Sequence, residues 1–511
     1  MFVNRPKQSI RNIRVSLCFS ILILVLRFFS RKVFIDHIGI EVLGLNTALT
    51  SLLNLLNLTE LGIGSAVSYF LYIPLAQSDC KTVNEIVSLQ GWLYKRVTYV
   101  ILVGSIVLMS FFPWIFSQMK LPLWYAYGSF GVLLIGAILG YIINYAQILL
   151  SADQQIYKIT YNIKGWEALG VIIQIVGIKY LHYGYFFWLV VELGRTLISC
   201  LSLHRTVKRS YPWLHTDLTK GKFLFRKYSE VTRKTKQLFF HKVSSYIVNQ
   251  TIPLVTYACL SLTMVAVYGN YLAIISNITI LFSALFESMR AGIGNLVAEK
   301  HPRQVHAFFA EYITARYWLS AVICFCLLQQ VTPFISLWLG NEYVLDSVSF
   351  YILILSTFLS LANSFESFLS AYGLFQDVFS PVVEGALHLS FSILLGYYWG
   401  LPGILAGRVA GLLFLICWKP YFLYSRGFQI PIKRHIQLMG KVIFLILLSA
   451  GICQITTKHL MPPYYSFTEW IYNSILLFVY SILVFFILFA VFCKEFRNLF
   501  YRFLIITRHK T

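Results

Sequence analysis

Charge is what this chain has least of. Only 12% of its 511 residues are charged, against about a quarter in soluble domains, and that excludes an ordinary soluble fold. Acid is scarcer than base: 20 Asp and Glu stand against 42 Lys and Arg, a net charge of +22. The nine cysteines are scattered, and only Cys324 and Cys326 come close together. With no metal spacing and no disulfide framework, they read as apolar filler. The first apolar run lacks a small-residue cleavage site and is followed by many more, so no cleavable signal is expected. There is no GxxxxGK[ST] loop, which argues against direct ATP hydrolysis. Short strands of alternating polarity are missing too, which argues against a closed barrel.

What the chain has instead is long apolar sequence. Runs of about 20 residues, enough to cross a hydrocarbon core of about 30 Å as a helix, recur from end to end. Spans are expected near 15–35, 43–71, 97–118, 123–150, 159–181, 184–204, 239–262, 264–289, 315–337, 345–371, 378–399, 402–424, 440–459 and 468–493. The fold class is therefore an all-α polytopic membrane protein with about 14 transmembrane helices.

An even number of crossings puts both termini on one side, and Lys and Arg decide which. Arg5, Lys7, Arg11, Arg14, Lys95, Arg96, Lys158, Lys164, the stretch from Arg205 to Lys242, Arg303, Arg316, Lys433, Arg434 and the tail from Lys494 all fall on the N-terminal side. The other side shows only Arg31, Lys32, Lys120, Lys179 and Lys458. Both termini are expected in the cytoplasm, so the basic excess is topological. It suits anionic membrane lipids and gives no reason to expect nucleic acid. The outer loops are short, which leaves the work to be done inside the membrane.

The first six spans repeat in the next six. Leu61-Gly62-Ile63-Gly64-Ser65-Ala66-Val67 answers Ala291-Gly292-Ile293-Gly294-Asn295-Leu296-Val297. Asn144 with Ser151-Ala152 answers Asn363 with Ser370-Ala371. Glu167-Ala168-Leu169 answers Glu384-Gly385-Ala386-Leu387, and Gly194-Arg195 answers Gly407-Arg408. Four matches in collinear order indicate duplication. Six is even, so the copies share orientation and are related by an axis along the membrane normal. The expected domains are an N-lobe at 1–204, a basic cytoplasmic linker at 205–238, a C-lobe at 239–424, and a C-terminal helix pair with a basic tail at 425–511.

Two six-helix lobes plus a pair is the plan of the multidrug, oligosaccharidyl-lipid and polysaccharide exporter superfamily, whose fold is MATE-like. Within it, Leu43 to Asp79 resembles the second helix and following loop of the bacterial polysaccharide and O-antigen flippases, and Val267 to Glu299 resembles their eighth-helix segment. The likeness covers both lobes and is weakest after Trp418. It implies a flippase in the bacterial cytoplasmic inner membrane, moving undecaprenyl-diphosphate-linked oligosaccharide units for O-antigen, capsule or exopolysaccharide synthesis. It implies no cofactor, a proton, sodium or membrane-potential drive, and other polysaccharide-assembly membrane proteins as partners.

Ionisable residues inside spans are costly and each needs a partner, a cavity or a function. Arg27 admits two readings: a guanidinium holding a diphosphate through paired hydrogen bonds, or one snorkelling outward with Arg31 and Lys32. The related lipid II flippases resemble the first arrangement in using first-helix arginines. Glu192 and Arg195 can neutralise each other at i,i+3; Arg195 and its counterpart Arg408 are also substrate-phosphate candidates. Glu366 and Glu384 suit either proton coupling or pairing with a distant arginine, and His388 lies one turn beyond Glu384. Gly62, Gly64, Gly292 and Gly294 are hinge or packing candidates. Glu60 and Arg290 occupy matching places, one acid and one base, and are expected to gate transport as an ion pair between lobes. Of the other classes, a drug or small-molecule exporter fits the same fold. A glycan polymerase or ligase would need catalytic residues on a sizeable outer loop, and the nearest, Lys458 to Thr468, carries little acid-base chemistry.

Overall fold

In hydrocarbon a backbone must satisfy its own hydrogen bonds, so apolar runs of this length become helices. The computed structural model describes residues 5–60, 62–182, 184–374, 377, 379–460 and 466–508. Leu61, residues 461–465 and the tail past Arg508 lie outside the described residues. Among the described residues, the regular elements are helical. In order they are α1 (Arg5–His37), α2 (Ile40–Leu56), α3 (Ile63–Ala76), α4 (Cys80–Ser110), α5 (Phe112–Ile115), α6 (Trp124–Ile142) and α7 (Gln147–Ala152). Next come α8 (Ile156–Lys179), α9 (Tyr185–Ser210), α10 (Gly221–Lys227), α11 (Ser229–Cys259), α12 (Leu262–Glu287), α13 (Arg290–Glu299) and α14 (Pro302–Trp338). The series ends with α15 (Ser347–Ala362), α16 (Glu366–Ala371), α17 (Phe379–Trp399), α18 (Leu401–Phe422), α19 (Lys433–Leu460), α20 (Phe467–Phe492) and α21 (Lys494–Arg508).

Eleven stretches among the described residues are long and apolar enough to cross a membrane. The remaining expected spans, 43–71, 159–181 and 239–262, correspond to α2 with α3, to α8 and to α11, so the fourteen-helix plan stands. Breaks in the helices recur at matching places in the two copies. Asn57–Glu60 forms a short 3-10 turn between α2 and α3, as Ser288-Met289 interrupts α12 and α13. A gap at Asn144 separates α6 from α7, and a gap at Asn363 separates α15 from α16. The short helices α7 and α16 both end on the Ser-Ala pair that marked the repeat.

The chain divides into two units, residues 1–266 and 267–511. The first is centred on α2, α3, α4, α7 and α9, whose Leu49, Val67, Val87, Leu149 and Leu203 are fully buried. Within it α11 packs on α2 and α3. Gly44 lies so close to Leu262 that a Cβ would overlap the Leu262 carbonyl. The linker from Tyr211 to Tyr228 is strapped along α4: Asp217 N–H donates to Ser88 (2.9 Å), the Tyr228 hydroxyl to Glu85 (2.7 Å), and Lys227 pairs with Glu85. That Glu85 carboxylate raises the Lys227 ammonium above its ordinary pKa.

The second unit holds a knot of aromatic rings from α14, α16 and the π-turn after α18, with Phe309, Phe368, Tyr424 and Phe428 all buried. Its tightest packing is the hairpin of α17 and α18. Gly403, Gly407 and Gly411 recur at one-turn spacing, and a Cβ at Gly403 or Gly407 would overlap the backbone of Leu395 or Ser392. Small residues let helices approach where lipid offers no hydrophobic drive. The same logic turns large apolar side chains outward: Ile21, Val103, Leu281, Leu447 and Ile487 are all more than half exposed, a surface for lipid rather than water.

Candidate functional site

The intramembrane charges assemble into clusters within each unit. In the first, Arg27 on α1 donates to Glu167 on α8 at 2.6 Å, and Lys164, one turn before Glu167, approaches the other carboxylate oxygen at 2.9 Å. The Glu167 side chain is 8% exposed and that of Arg27 is 67% exposed. The acid is buried and saturated, while the guanidinium keeps donors to spare.

The neighbouring helix extends the network. Arg195 on α9 grips Glu192 through both its Nε and a terminal nitrogen, and Gln174 on α8 donates to the same carboxylate at 3.1 Å. Arg195 also lies within electrostatic range of Glu167. Gly170 makes the approach feasible, because a Cβ there would stand 2.6 Å from Arg195 Cδ. Arg27, Lys164 and Arg195 against Glu167 and Glu192 leave one positive charge in excess. A cluster of that sign suits an anionic group.

A second cluster surrounds the break between α2 and α3. Gly62 has φ 95°, a left-handed conformation that favours glycine, and this ends the turn and starts α3. The Tyr94 hydroxyl of α4 donates to Glu60 at 2.8 Å, and the Tyr141 hydroxyl of α6 donates to Asn57 at 3.2 Å. A Cβ at Gly64 would meet Glu60 Oε1 and the Tyr94 oxygen at 3.4 Å each, so the glycine leaves room for their bond. Tyr141 and Tyr246 lie within electrostatic range of the carboxylate. Glu60 thus sits among tyrosines, which spacing in the sequence did not reveal.

In the second unit, Lys419 of α18 pairs with Glu366 at the start of α16; the lysine side chain is 6% exposed and the glutamate 67%. Glu384 of α17 lies within electrostatic range of Lys419 and Arg408, and Arg408 within range of His388 and Tyr268. Arg290 bonds Glu287 at 3.4 Å and the Ser370 hydroxyl at 3.2 Å. Gly292 and Gly294 lie inside α13, and nothing stands within 4 Å of a Cβ at either. Among the described residues, the left-handed turn is therefore a feature of Gly62 that Gly292 and Gly294 do not share.

The two copies run parallel at this level. Each carries a Glu on the first helix of a hairpin and a Gly-Arg on the second: Glu167 with Arg195 on α8 and α9, Glu384 with Arg408 on α17 and α18. The cations that complete these clusters, Lys164 and Lys419, carried no motif, being near and far in sequence respectively.

No protein-family model and no curated protein matches the chain. Among solved structures, the lipid II flippase MurJ in an inward closed conformation matches with TM-score 0.60 at 14% identity, covering 96% of this chain and 100% of its own. The inward-facing conformation of a multidrug resistance MATE family transporter of the MOP superfamily matches with TM-score 0.59 at 15% identity, covering 82% and 98%. The chain is a multi-pass membrane protein of the MATE-like fold, the fold of the MOP superfamily. The MurJ likeness takes in sequence that the MATE likeness leaves out.

Proposed function

We propose that this chain is a flippase that carries undecaprenyl-diphosphate-linked oligosaccharide units from the cytoplasmic to the outer leaflet of the bacterial inner membrane, with both termini in the cytoplasm. The observation that carries the reading is the Arg27, Glu167, Lys164, Arg195 and Glu192 network. It keeps an excess positive charge and an accessible guanidinium within α1, α8 and α9. A diphosphate brings two phosphates' worth of acceptors to such a group, and the lipid tail stays in the bilayer. Arg408 has the corresponding role in the second copy. The lobes at 1–204 and 239–424 alternate the exposure of these groups, with the pair at 425–511 as an addition to the repeat.

Glu60 among its tyrosines, Glu366 and Glu384 are the proposed proton or sodium coupling residues, and Arg290 with Glu60 the gating residues. The Gly62 break is the hinge. The glycan serves O-antigen, capsule or exopolysaccharide synthesis, alongside other assembly proteins of that membrane.

Reconstitution in liposomes with a labelled polyprenyl-diphosphate oligosaccharide tests the reading: wild type flips it, and Arg27→Ala and Arg408→Ala do so far more slowly. Equal rates in all three remove the site assignment. The MATE-type likeness favours one other reading, small-molecule export; transport of cationic drugs with no lipid flipping would select it.

A further inference from the structure

A separate cationic site lies at the other end of α1, before its apolar run begins at Val15. Asn12 pins α1 to the turn that opens α8: its amide donates to the Gln154 carbonyl at 2.8 Å, and its carbonyl accepts from the Tyr157 N–H at 2.9 Å. That clamp fixes what stands on either side of it. The Arg11 guanidinium lies over the Tyr157 ring, 4.0 Å from its centroid, which holds it by a cation–π contact. Arg14 follows one turn later, as Tyr161 follows Tyr157. Between them is a cavity of about 450 Å³ lined by Ile10, Arg11, Arg14, Val15 and Tyr161.

Its two guanidiniums are unpaired: among the described residues neither Arg11 nor Arg14 has a carboxylate partner. Lys158 lies within electrostatic range of Arg11 but also of Asp153, which offsets its charge. Two guanidiniums side by side without a carboxylate partner repel one another unless something negative joins them. One wall is apolar and aromatic: the Tyr161 ring is braced edge-on by Phe19 at 5.5 Å. Directly above, Leu17 and Ile21 are exposed on α1, at 51% and 62%, a track for a hydrocarbon chain.

We infer that the Arg11, Arg14 and Tyr161 cavity binds the phosphate headgroup of an anionic phospholipid, with an acyl chain lying along α1. The depth is that of the headgroup layer, because the cavity sits where the apolar run of α1 starts. The size suits a single headgroup. Binding here needs no transport, so it stands or falls apart from the flippase reading.

The test is native mass spectrometry of the full chain in detergent, titrated with phosphatidylglycerol or phosphatidylcholine. An arginine at an anionic lipid surface is worth roughly fivefold in affinity. Wild type is therefore expected to prefer phosphatidylglycerol by about tenfold or more, and Arg11→Gln with Arg14→Gln to lose that preference. Arg11→Lys with Arg14→Lys, which keeps the charge, is expected to retain most of it. An unchanged preference in the Gln double variant overturns the inference. So does displacement of phosphatidylglycerol by equimolar inorganic phosphate, which would mark a soluble-anion site, or by undecaprenyl phosphate, which would reassign the ligand to the carrier lipid.

Discussion

Arg27 and Glu167 stand 140 positions apart in sequence and 2.6 Å apart in space. The bond ties α1 to α8 across the first unit, and it leaves the acid buried and the base accessible. A pair built that way holds a cation ready to be shared with a second anion.

Removing the two partners should therefore have different consequences. Arg27→Ala leaves Glu167 still paired with Lys164, so the protein folds, and lipid flipping falls by about 10- to 100-fold, the worth of one or two charge-assisted hydrogen bonds. Glu167→Ala removes the acid that two cations share and costs about 1–3 kcal/mol of stability, the worth of hydrogen bonds to a charged group. Flipping rates and thermal melts in detergent on both variants check the contrast; equal stability losses would contradict it.

Lys419 and Glu366 invite a double-mutant cycle. Glu366→Ala strands a lysine whose side chain is 6% exposed, and a melt should show a loss of about 3–5 kcal/mol. Adding Lys419→Met removes the stranded charge, so the double variant should regain most of the stability. If the losses simply add, the pair is not coupled.

The α17–α18 hairpin has no room for a side chain at Gly407. Gly407→Leu should lower stability by about 3 kcal/mol or more, in the range of severe overpacking. The same change at Gly194, where nothing stands within 4 Å of a Cβ, should be tolerated. Comparable melts for the two would show that the close approach contributes little.

Glu60 has a local partner, and that makes its role separable. Tyr94→Phe removes the 2.8 Å hydrogen bond to Glu60 and keeps the ring; if Glu60 acts through that bond, transport falls in Tyr94→Phe as in Glu60→Gln. Charge reversal at Glu60 or Arg290 alone should impair transport, and the exchange Glu60→Arg with Arg290→Glu should restore part of it. A double exchange that rescues nothing removes the gating assignment.

Hydropathy marked every helix of the fourteen, because the demand that a membrane-spanning backbone satisfy itself is local and is met within each run of about 20 residues. The collinear repeats indicated duplication, but the breaks at Asn144 and Asn363 were not expected: the spans 123–150 and 345–371 read as continuous, and the structure interrupts both. The π-turn after α18 and the left-handed Gly62 carried no comparable signal: Gly292 occupies the matching place yet sits inside a helix. Charged residues were visible one by one, and the i,i+3 pair of Glu192 and Arg195 was readable from helical periodicity alone. Which acid met which base across helices was not, because Arg27 with Glu167 and Glu366 with Lys419 are brought together by helix packing rather than by spacing. Composition placed the chain in the membrane; only the packed helices decided which charges are neutralised and which remain available to a ligand.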